Sequence, residues 1–155
     1  MDDLDRRILS HLQRDGRMTN LELSRLVHLS PAATLERVRK LEQSNAILGY
    51  MARLNPESLN LGLLVFIQVT LDRSSPDLFE MFSRTVRDIP QVTECHMVAG
   101  GFDYLLKARV RDMNAYRLFL GRTLTRLPGV RQTHTYTVME QVKAESALPL
   151  PGLNT

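Results

Sequence analysis

The spacing of apolar positions changes partway along the chain, and the change divides it in two. Early on they recur at three and four residues. Leu4, Ile8, Leu9 and Leu12 make one stripe, Leu23, Leu26 and Val27 a second, and Leu35, Val38 and Leu41 a third. That is the period of helices burying one face. From Gly62 the spacing becomes two. Leu63, Val65, Ile67, Val69 and Leu71 give one wholly aliphatic face, and Leu64, Phe66, Gln68 and Thr70 a mixed one, so 62–72 is the strongest strand in the chain.

Punctuation between the stripes sets the elements. The first helix spans Asp3–Arg14, with Gly16 supplying a left-handed cap. Thr19 caps the second, and Glu22 three residues on closes a capping box. His28-Leu29 is a tight turn. Ser30 then caps a third helix with Pro31 at its first position, where a missing N–H costs nothing. Leu35, Val38 and Leu41 mark the buried side of that helix, with Thr34 and Asn45 at its margin. Its outer side carries Ala32, Ala33, Glu36, Arg37, Arg39 and Lys40. Small residues lead and bases follow, which suits a helix whose first turn approaches a groove while later turns hold phosphate. The segment 19–45 reads as a helix-turn-helix with residues 30–45 as the recognition helix. An ordinary helical hairpin with a solvated charged face is the plainer reading of the same residues; Glu36 and Lys40 would then be a simple i,i+4 pair.

Residues 47–54 alternate weakly and read as a strand or wing, broken by Asn55-Pro56, with a connector over 57–61. Beyond the strand at 62–72, Ser75-Pro76 repeats the cap-plus-proline device. Leu78, Phe79, Phe82, Val86 and Ile89 follow as a helix stripe that Pro90 stops. A strand at 92–99, a turn at Gly100-Gly101 and a return strand at 104–110 come next. Asp112 caps a helix carrying Tyr116, Phe119, Leu120, Leu124 and Leu127, which Pro128-Gly129 ends before a last strand at 130–139. The proline- and glycine-bearing end, from Ala147 on, reads as a loose tail. The predicted fold class is α+β. A three-helix winged helix-turn-helix over 1–54 and a linker over 55–61 precede a ferredoxin-like βαββαβ domain over 62–142, and a tail occupies 143–155. An internal echo supports the βαββαβ order: Arg84-Thr85 then Ile89-Pro90-Gln91-Val92 matches Arg122-Thr123 then Leu127-Pro128-Gly129-Val130 at equal spacing.

Two helices can cover only one face of a four-stranded sheet. The other face, with Leu64 and Phe66, is expected to pair with a second copy in a two-fold dimer, which would also set two recognition helices at helical-turn spacing on DNA.

Composition changes this picture little. In 155 residues, 20 Lys and Arg against 17 Asp and Glu leave a formal charge of +3, with a pI near 9.3. This is compatible with nucleic acid without requiring it. Cys95 is the only cysteine, so no intramolecular disulfide can form, and a reducing, cytoplasmic setting is expected. No stretch is long and apolar enough for a signal peptide or a membrane span. Cys95 and His96 point to opposite sides of a strand, and His134 and His11 sit elsewhere, so no metal spacing emerges. Neither a nucleophile-base-acid order nor a phosphate-binding glycine loop is present. A small enzyme on the α/β half remains the third reading, after an effector-responsive regulator and an effector-independent DNA-organising protein.

The motifs LSPAATLERVRKLE, LNPESL, GGFDYLLKARV and TYTVMEQVK, in that order, resemble the Lrp/AsnC regulators over almost the whole chain. LLVFIQVTLDR, FDYLLK, LPGV and TYTVME look closest to the leucine-responsive branch. The resemblance implies a transcriptional regulator of amino-acid metabolism genes that binds double-stranded DNA. It also implies a C-terminal half that forms homodimers, assembles them into octamers or related rings, and binds a small effector, usually an amino acid, between dimers. No other cofactor or metal is implied. On the recognition helix it points to Ser30, Ala32, Ala33, Thr34, Glu36, Arg37, Arg39 and Lys40. Glu36 is suited to a cytosine amino group and the basic residues to phosphate. For the effector it points to Gly100, Gly101, Phe102, Asp103, Tyr104, Met113, Tyr136, Thr137 and Val138. From the residues alone, Gly100–Tyr104 is only a hairpin turn. As an effector loop, Asp103 would face an ammonium and the glycine amides a carboxylate. Asp103 has a competing role, holding the turn through backbone N–H groups. Two positions depart from the family pattern. His28 stands where Gly is usual, and Gly101 where the leucine branch often has Asp, which leaves the choice of amino acid open.

Overall fold

A computed structural model describes residues 1–72 and 77–152. The cap predicted at Ser75-Pro76 lies outside the described residues. The chain forms two units: Met1–Arg53 together with the segment from Lys143, and Leu54–Val142.

The first unit is built on α1 (Asp3–Leu12), α2 (Asn20–Val27) and α3 (Pro31–Gln43). Ile8, Leu12, Leu23, Val27 and Leu41 form its buried core. The predicted caps are in place. Thr19 and Glu22 bond reciprocally, and the Ser30 hydroxyl accepts from the Ala33 N–H at 3.2 Å. His28 takes the left-handed conformation, φ 57°, and Leu29 N–H reaches the Ser24 carbonyl at 3.0 Å, closing α2 as a glycine would. Asn45 does the same for α3, φ 57°, with Ala46 N–H on the Leu41 carbonyl at 2.9 Å.

Several expectations are corrected. Gly16 is not left-handed; the positive-φ glycines are Gly49, Gly129 and Gly152. Its lack of a side chain serves a close approach instead, since a Cβ there would stand 3.3 Å from the Tyr50 ring. Leu26 is exposed while Ser24 is buried; burial costs Ser24 little because its hydroxyl donates to the Leu21 carbonyl at 2.8 Å. On α3 the inner line runs Thr34–Val38–Leu41, and Leu35 stands outside it, 39% exposed. Both 34 and 35 satisfy helical spacing to 38, and Thr34, expected only at the margin, takes the inner place. Thr34 tolerates burial because its hydroxyl donates to the Ser30 carbonyl at 3.0 Å.

The wing is also absent. Residues 47–54 form no strand, and Leu48 and Met51 are exposed. Alternation without a neighbouring backbone to pair with does not make a strand. The C-terminal segment, by contrast, is tied down. The Gln13 side chain donates to the Leu148 carbonyl at 3.1 Å and accepts from the Leu148 N–H at 3.0 Å, as another peptide group would. Arg53 donates to the Ala144 carbonyl at 3.1 Å.

The second unit contains β1 (Leu63–Leu71), α4 (Asp77–Val86), β2 (Val92–Met97), β3 (Tyr104–Val110), α5 (Met113–Arg122) and β4 (Val130–Thr137). The sheet order is β2-β3-β1-β4, with every neighbouring pair antiparallel. Val65, Ile67, Val69 and Leu71 pack with Leu106, Ala108 and Val110 against Phe82 and Val86 of α4 and Tyr116 and Phe119 of α5. Both helices therefore cover one face, as βαββαβ order demands. α5 is shorter than expected, ending at Arg122 before a 3-10 turn over Leu124–Arg126, yet Leu124 and Leu127 still reach the core. Strands β2 and β4 each stop two residues before the expected ends. The sequence echo marks a repeated turn: Val92 N–H bonds the Ile89 carbonyl at 3.1 Å and Val130 N–H the Leu127 carbonyl at 3.3 Å. Gly129 is left-handed, φ 71°, and a Cβ there would press on Leu78 at 3.1 Å.

Phe66, Gln68 and Thr70 lie on the other face, opposite Tyr136, His134 and Gln132 of β4. Leu64, expected to be bare there, is buried.

Candidate nucleic-acid interface and effector residues

α3 is held from three sides. The Asn20 amide donates to the Pro31 carbonyl at 2.7 Å, tying the first turn of α2 to that of α3. Leu41 and Val38 enter the core of the first unit. Arg37 Nη1 meets Asp2 Oδ2 at 2.8 Å and Asp5 Oδ1 at 2.7 Å. The outward line is Ala32, Leu35, Glu36 and Arg39, flanked by Ala33 and Lys40, all exposed.

The expected DNA residues thus divide. Ala32, Ala33, Glu36, Arg39 and Lys40 share the open side. Ser30 is spent on the cap, and Thr34 is turned into the core and cannot read a base. Leu35, expected on the buried side, stands on the open side instead; the signal was available, since 32, 35/36 and 39 follow one helical line. Glu36 and Lys40 form an exposed pair at 3.5 Å, the plain i,i+4 arrangement foreseen for a solvated face, while Arg39 has no carboxylate partner among the described residues. Arg37 is not available as a bare cation. Backbone donation from Asp5 and then the Arg37 guanidinium hold the Asp2 carboxyl below the usual carboxylate range. The same two carboxylates, Asp5 first, raise the Arg37 pKa further.

The effector residues divide more sharply. Gly100 and Gly101 are exposed on the β2–β3 hairpin, with open space where a Cβ would go; Phe102 beside them is half-buried. Asp103 is only 5% exposed. Its carboxylate accepts from the Leu71 N–H at 2.8 Å, and its own N–H donates to the Val69 carbonyl at 3.0 Å. The carboxylate expected to face an ammonium is therefore turned inward and holds the hairpin against β1. Tyr104 is also withdrawn from the surface. Its ring stacks 4.5 Å from Phe82 and its hydroxyl bonds Ser83 at 2.9 Å, so it belongs to the core under α4. Met113 and Tyr136 are exposed, Thr137 is exposed and Val138 half-buried.

These residues do not form one pocket in a single chain. Tyr104 stands opposite Val69 of β1, whereas Tyr136 and Thr137 stand opposite Phe66 and Val65. Met113 follows β3 beyond Val110, which pairs with Leu63. Val69 is three residues from Phe66 and six from Leu63, so at about 3.3 Å per residue the hairpin stands roughly 10 Å from Tyr136 and roughly 20 Å from the Met113 end along β1.

Burial pushes the Cys95 thiol pKa up, the opposite of what a nucleophile needs. Among the described residues no three His, Cys, Asp or Glu side chains cluster as metal ligands, and no helix is long and apolar enough to cross a membrane.

Residues 1–42 match the AsnC-type helix-turn-helix domain, and residues 64–148 match the Lrp/AsnC ligand binding domain. The chain is 55% identical over 148 residues to the leucine-responsive regulatory proteins of Escherichia coli strain K12 and Salmonella typhimurium, covering 96% of this chain and 90% of each relative. Among solved structures, a transcriptional regulator from Neisseria meningitidis in complex with L-Met is similar at TM-score 0.94 and 42% identity over 97% of both chains. The leucine response regulatory protein of Mycobacterium tuberculosis is similar at TM-score 0.81 and 34% identity, over 97% of this chain and 100% of its own. The two matched domains account for the helix-turn-helix and for the βαββαβ sheet in their observed order, and the chain belongs to the Lrp/AsnC family of transcriptional regulators.

Proposed function

We propose that the chain reads double-stranded DNA with the outward line of α3 and that an amino acid, bound between copies, modulates this reading. The observation that carries the first half is the division of α3. One line is locked into the core, and the other presents small, apolar, acidic and basic side chains in order from the N-terminus. In a major groove, Ala32 and Leu35 suit thymine methyls, Glu36 a cytosine amino group, and Arg39 and Lys40 phosphate. Support for the second half comes from the split of the effector residues. Gly100–Phe102 at one end of the sheet and Met113, Tyr136, Thr137 and Val138 towards the other can share a ligand only if different copies supply them. Glycine amides would take the carboxylate; the ammonium falls to carbonyls or to the second copy, since Asp103 is engaged. The open sheet face with Phe66 and Tyr136 would pair copies into dimers, and the ligand would bridge dimers into an octamer or related ring. Leucine and methionine are the first candidates, because the relatives carry the one in their names and a neighbour was solved with the other. This reading makes the protein a cytoplasmic regulator of amino-acid genes with no turnover of its own.

The test is a DNA titration by fluorescence anisotropy, run with and without each proteinogenic amino acid, alongside sedimentation velocity. One amino acid is expected to change both affinity and assembly, because a ligand acts only through its different affinity for two states. DNA binding unaffected by any amino acid would leave an effector-independent DNA-organising protein instead.

A further inference from the structure

The ion cluster at the start of α1 uses its atoms fully. Asp2 Oδ1 accepts from the Asp5 N–H at 2.8 Å, and Asp5 Oδ2 accepts from the Asp2 N–H at 3.0 Å. That reciprocal capping box leaves one oxygen on each carboxylate, and both go to the same nitrogen of Arg37, at 2.8 and 2.7 Å. The two aspartates also sit at the positive end of the α1 dipole, which favours their charged forms. Arg37 therefore joins a fixed point on α1 to the middle of α3, on the border between its buried and outward lines, with its side chain 31% exposed.

A guanidinium so held is a poor phosphate ligand. To reach DNA it would abandon two carboxylates on the rim of the reading face, where they would repel the phosphate it approached. As a stabilising device the bridge is also weak, since its ends are partly exposed and screened by solvent. What it does well is orientation. Thr34, Val38 and Leu41 hold the inner side of α3, and the Asn20 tie holds its first turn. The two-carboxylate anchor adds a fixed point on the flank, at the border of the outward line.

We propose that Arg37 is a positioning residue for DNA reading: bridged to Asp2 and Asp5, it fixes the rotation of α3 so that Ala32, Leu35 and Glu36 face the bases, and it makes no phosphate contact. This rests on the reading of α3 as the recognition helix.

The test uses the full-length protein, a duplex selected by the wild type from a random pool, and poly(dI-dC) as the non-specific competitor. Arg37→Met, Asp5→Asn and the double variant are titrated at several salt concentrations, with melting curves to confirm folding. Asp5→Asn keeps an oxygen for the Asp2 N–H, so the cap survives. Arg37→Met is expected to lower the ratio of selected to non-specific affinity by at least about threefold, Asp5→Asn, which leaves the Asp2 contact, by less, and the double variant no further than Arg37→Met, because without the guanidinium no bridge is left to break. The salt dependence of Arg37→Met is expected to match wild type. A slope reduced by about 0.9 in Arg37→Met would make Arg37 a phosphate contact and overturn the proposal. So would an Asp5→Asn protein with unchanged selectivity. Should Arg37→Met melt before it can be titrated, Arg37→Lys, which keeps a cation between the aspartates, is expected to retain wild-type slope and part of the selectivity; full loss of selectivity with a flattened slope would again overturn it. A wild type that selects no duplex would sink the recognition-helix reading itself, an outcome distinct from failure of the bridge alone.

Discussion

The two units keep their shape by different means. The second buries two aliphatic strands under two helices, with fully enclosed side chains at Val65, Ile67, Val69, Leu106 and Phe82. The first has only Ile8, Leu12, Leu23, Val27 and Leu41 in its core, and adds polar fastenings: two capping boxes, the Asn20–Pro31 tie, the Arg37 bridge and the Gln13–Leu148 clasp. A unit of this size is near the limit of what apolar burial alone supports. Two of these fastenings, the Asn20–Pro31 tie and the Arg37 bridge, hold the helix that would meet DNA.

The largest expected effect exploits this difference. Leu23→Ala and Leu106→Ala each remove a fully buried leucine, at about 2–5 kcal/mol. In the first unit that loss approaches the whole stability, about 3–5 kcal/mol for a domain so small. Leu23→Ala is expected to abolish the helix-turn-helix and DNA binding at 25 °C while sheet amides stay protected in hydrogen exchange. Leu106→Ala is expected to lower the melting temperature of the sheet without unfolding it. Equal tolerance in the two units would erase the distinction.

A smaller effect tests the clasp. Gln13→Ala removes two exposed hydrogen bonds and is expected to cost about 1 kcal/mol or less, too little to unfold the first unit. Its clear signature is local: the Leu148 amide loses protection from exchange, while the α2 amides keep theirs. Thr19→Ala lies in the same range, about 1 kcal/mol, but its loss is read in α2 and leaves Leu148 protected.

The same contrast explains what was legible in the sequence. Rules that act within four residues were read well: Thr19 with Glu22, Ser30 with Pro31, Asp112 at the start of α5, His28 as a left-handed turn. The sheet was legible too, because alternation over nine residues admits one face assignment. What failed depended on partners distant in sequence. Residues 47–54 alternate but have no neighbouring strand in the described chain. The tail looked loose because nothing local reveals that Gln13 would clasp it from 135 residues away. For Asp103 the turn-holding alternative is the one its bond to the Leu71 N–H favours; a turn motif does not show that this N–H comes from β1, or that α4 already holds the Tyr104 hydroxyl. Thr34 and Leu35 are a local exception: both satisfy helical spacing to 38, and the Thr34 bond to the Ser30 carbonyl, four residues back, makes burial of the polar one cheap.

The smallest expected effect concerns acid. Asp2 titrates below its ordinary value of 3.8 because the Asp5 N–H and the Arg37 guanidinium stabilise its charged form. A carboxyl with a depressed folded-state pKa contributes stability that is fully present above the unfolded value and is lost as pH falls through the folded one. The first unit should therefore melt at a steady temperature, as far as Asp2 is concerned, down to about pH 4, and lose this contribution progressively below it. Asp2→Asn keeps a capping oxygen but cannot ionise. The gap in melting temperature between wild type and Asp2→Asn is expected to be small, constant above about pH 4 and closing towards lower pH, because the bridge is exposed and screened by solvent. Glu22 is also depressed, by the Thr19 hydroxyl and N–H, so both proteins weaken in acid, and it is the difference between them that reports Asp2. The Asp2 carboxyl carbon, followed by NMR, should titrate below 3.8 in wild type and move up towards it in Arg37→Met. A gap that stayed open in acid would show that Asp2 acts through the shape of its cap rather than its charge, and that the first unit's fastenings at this corner are hydrogen bonds alone.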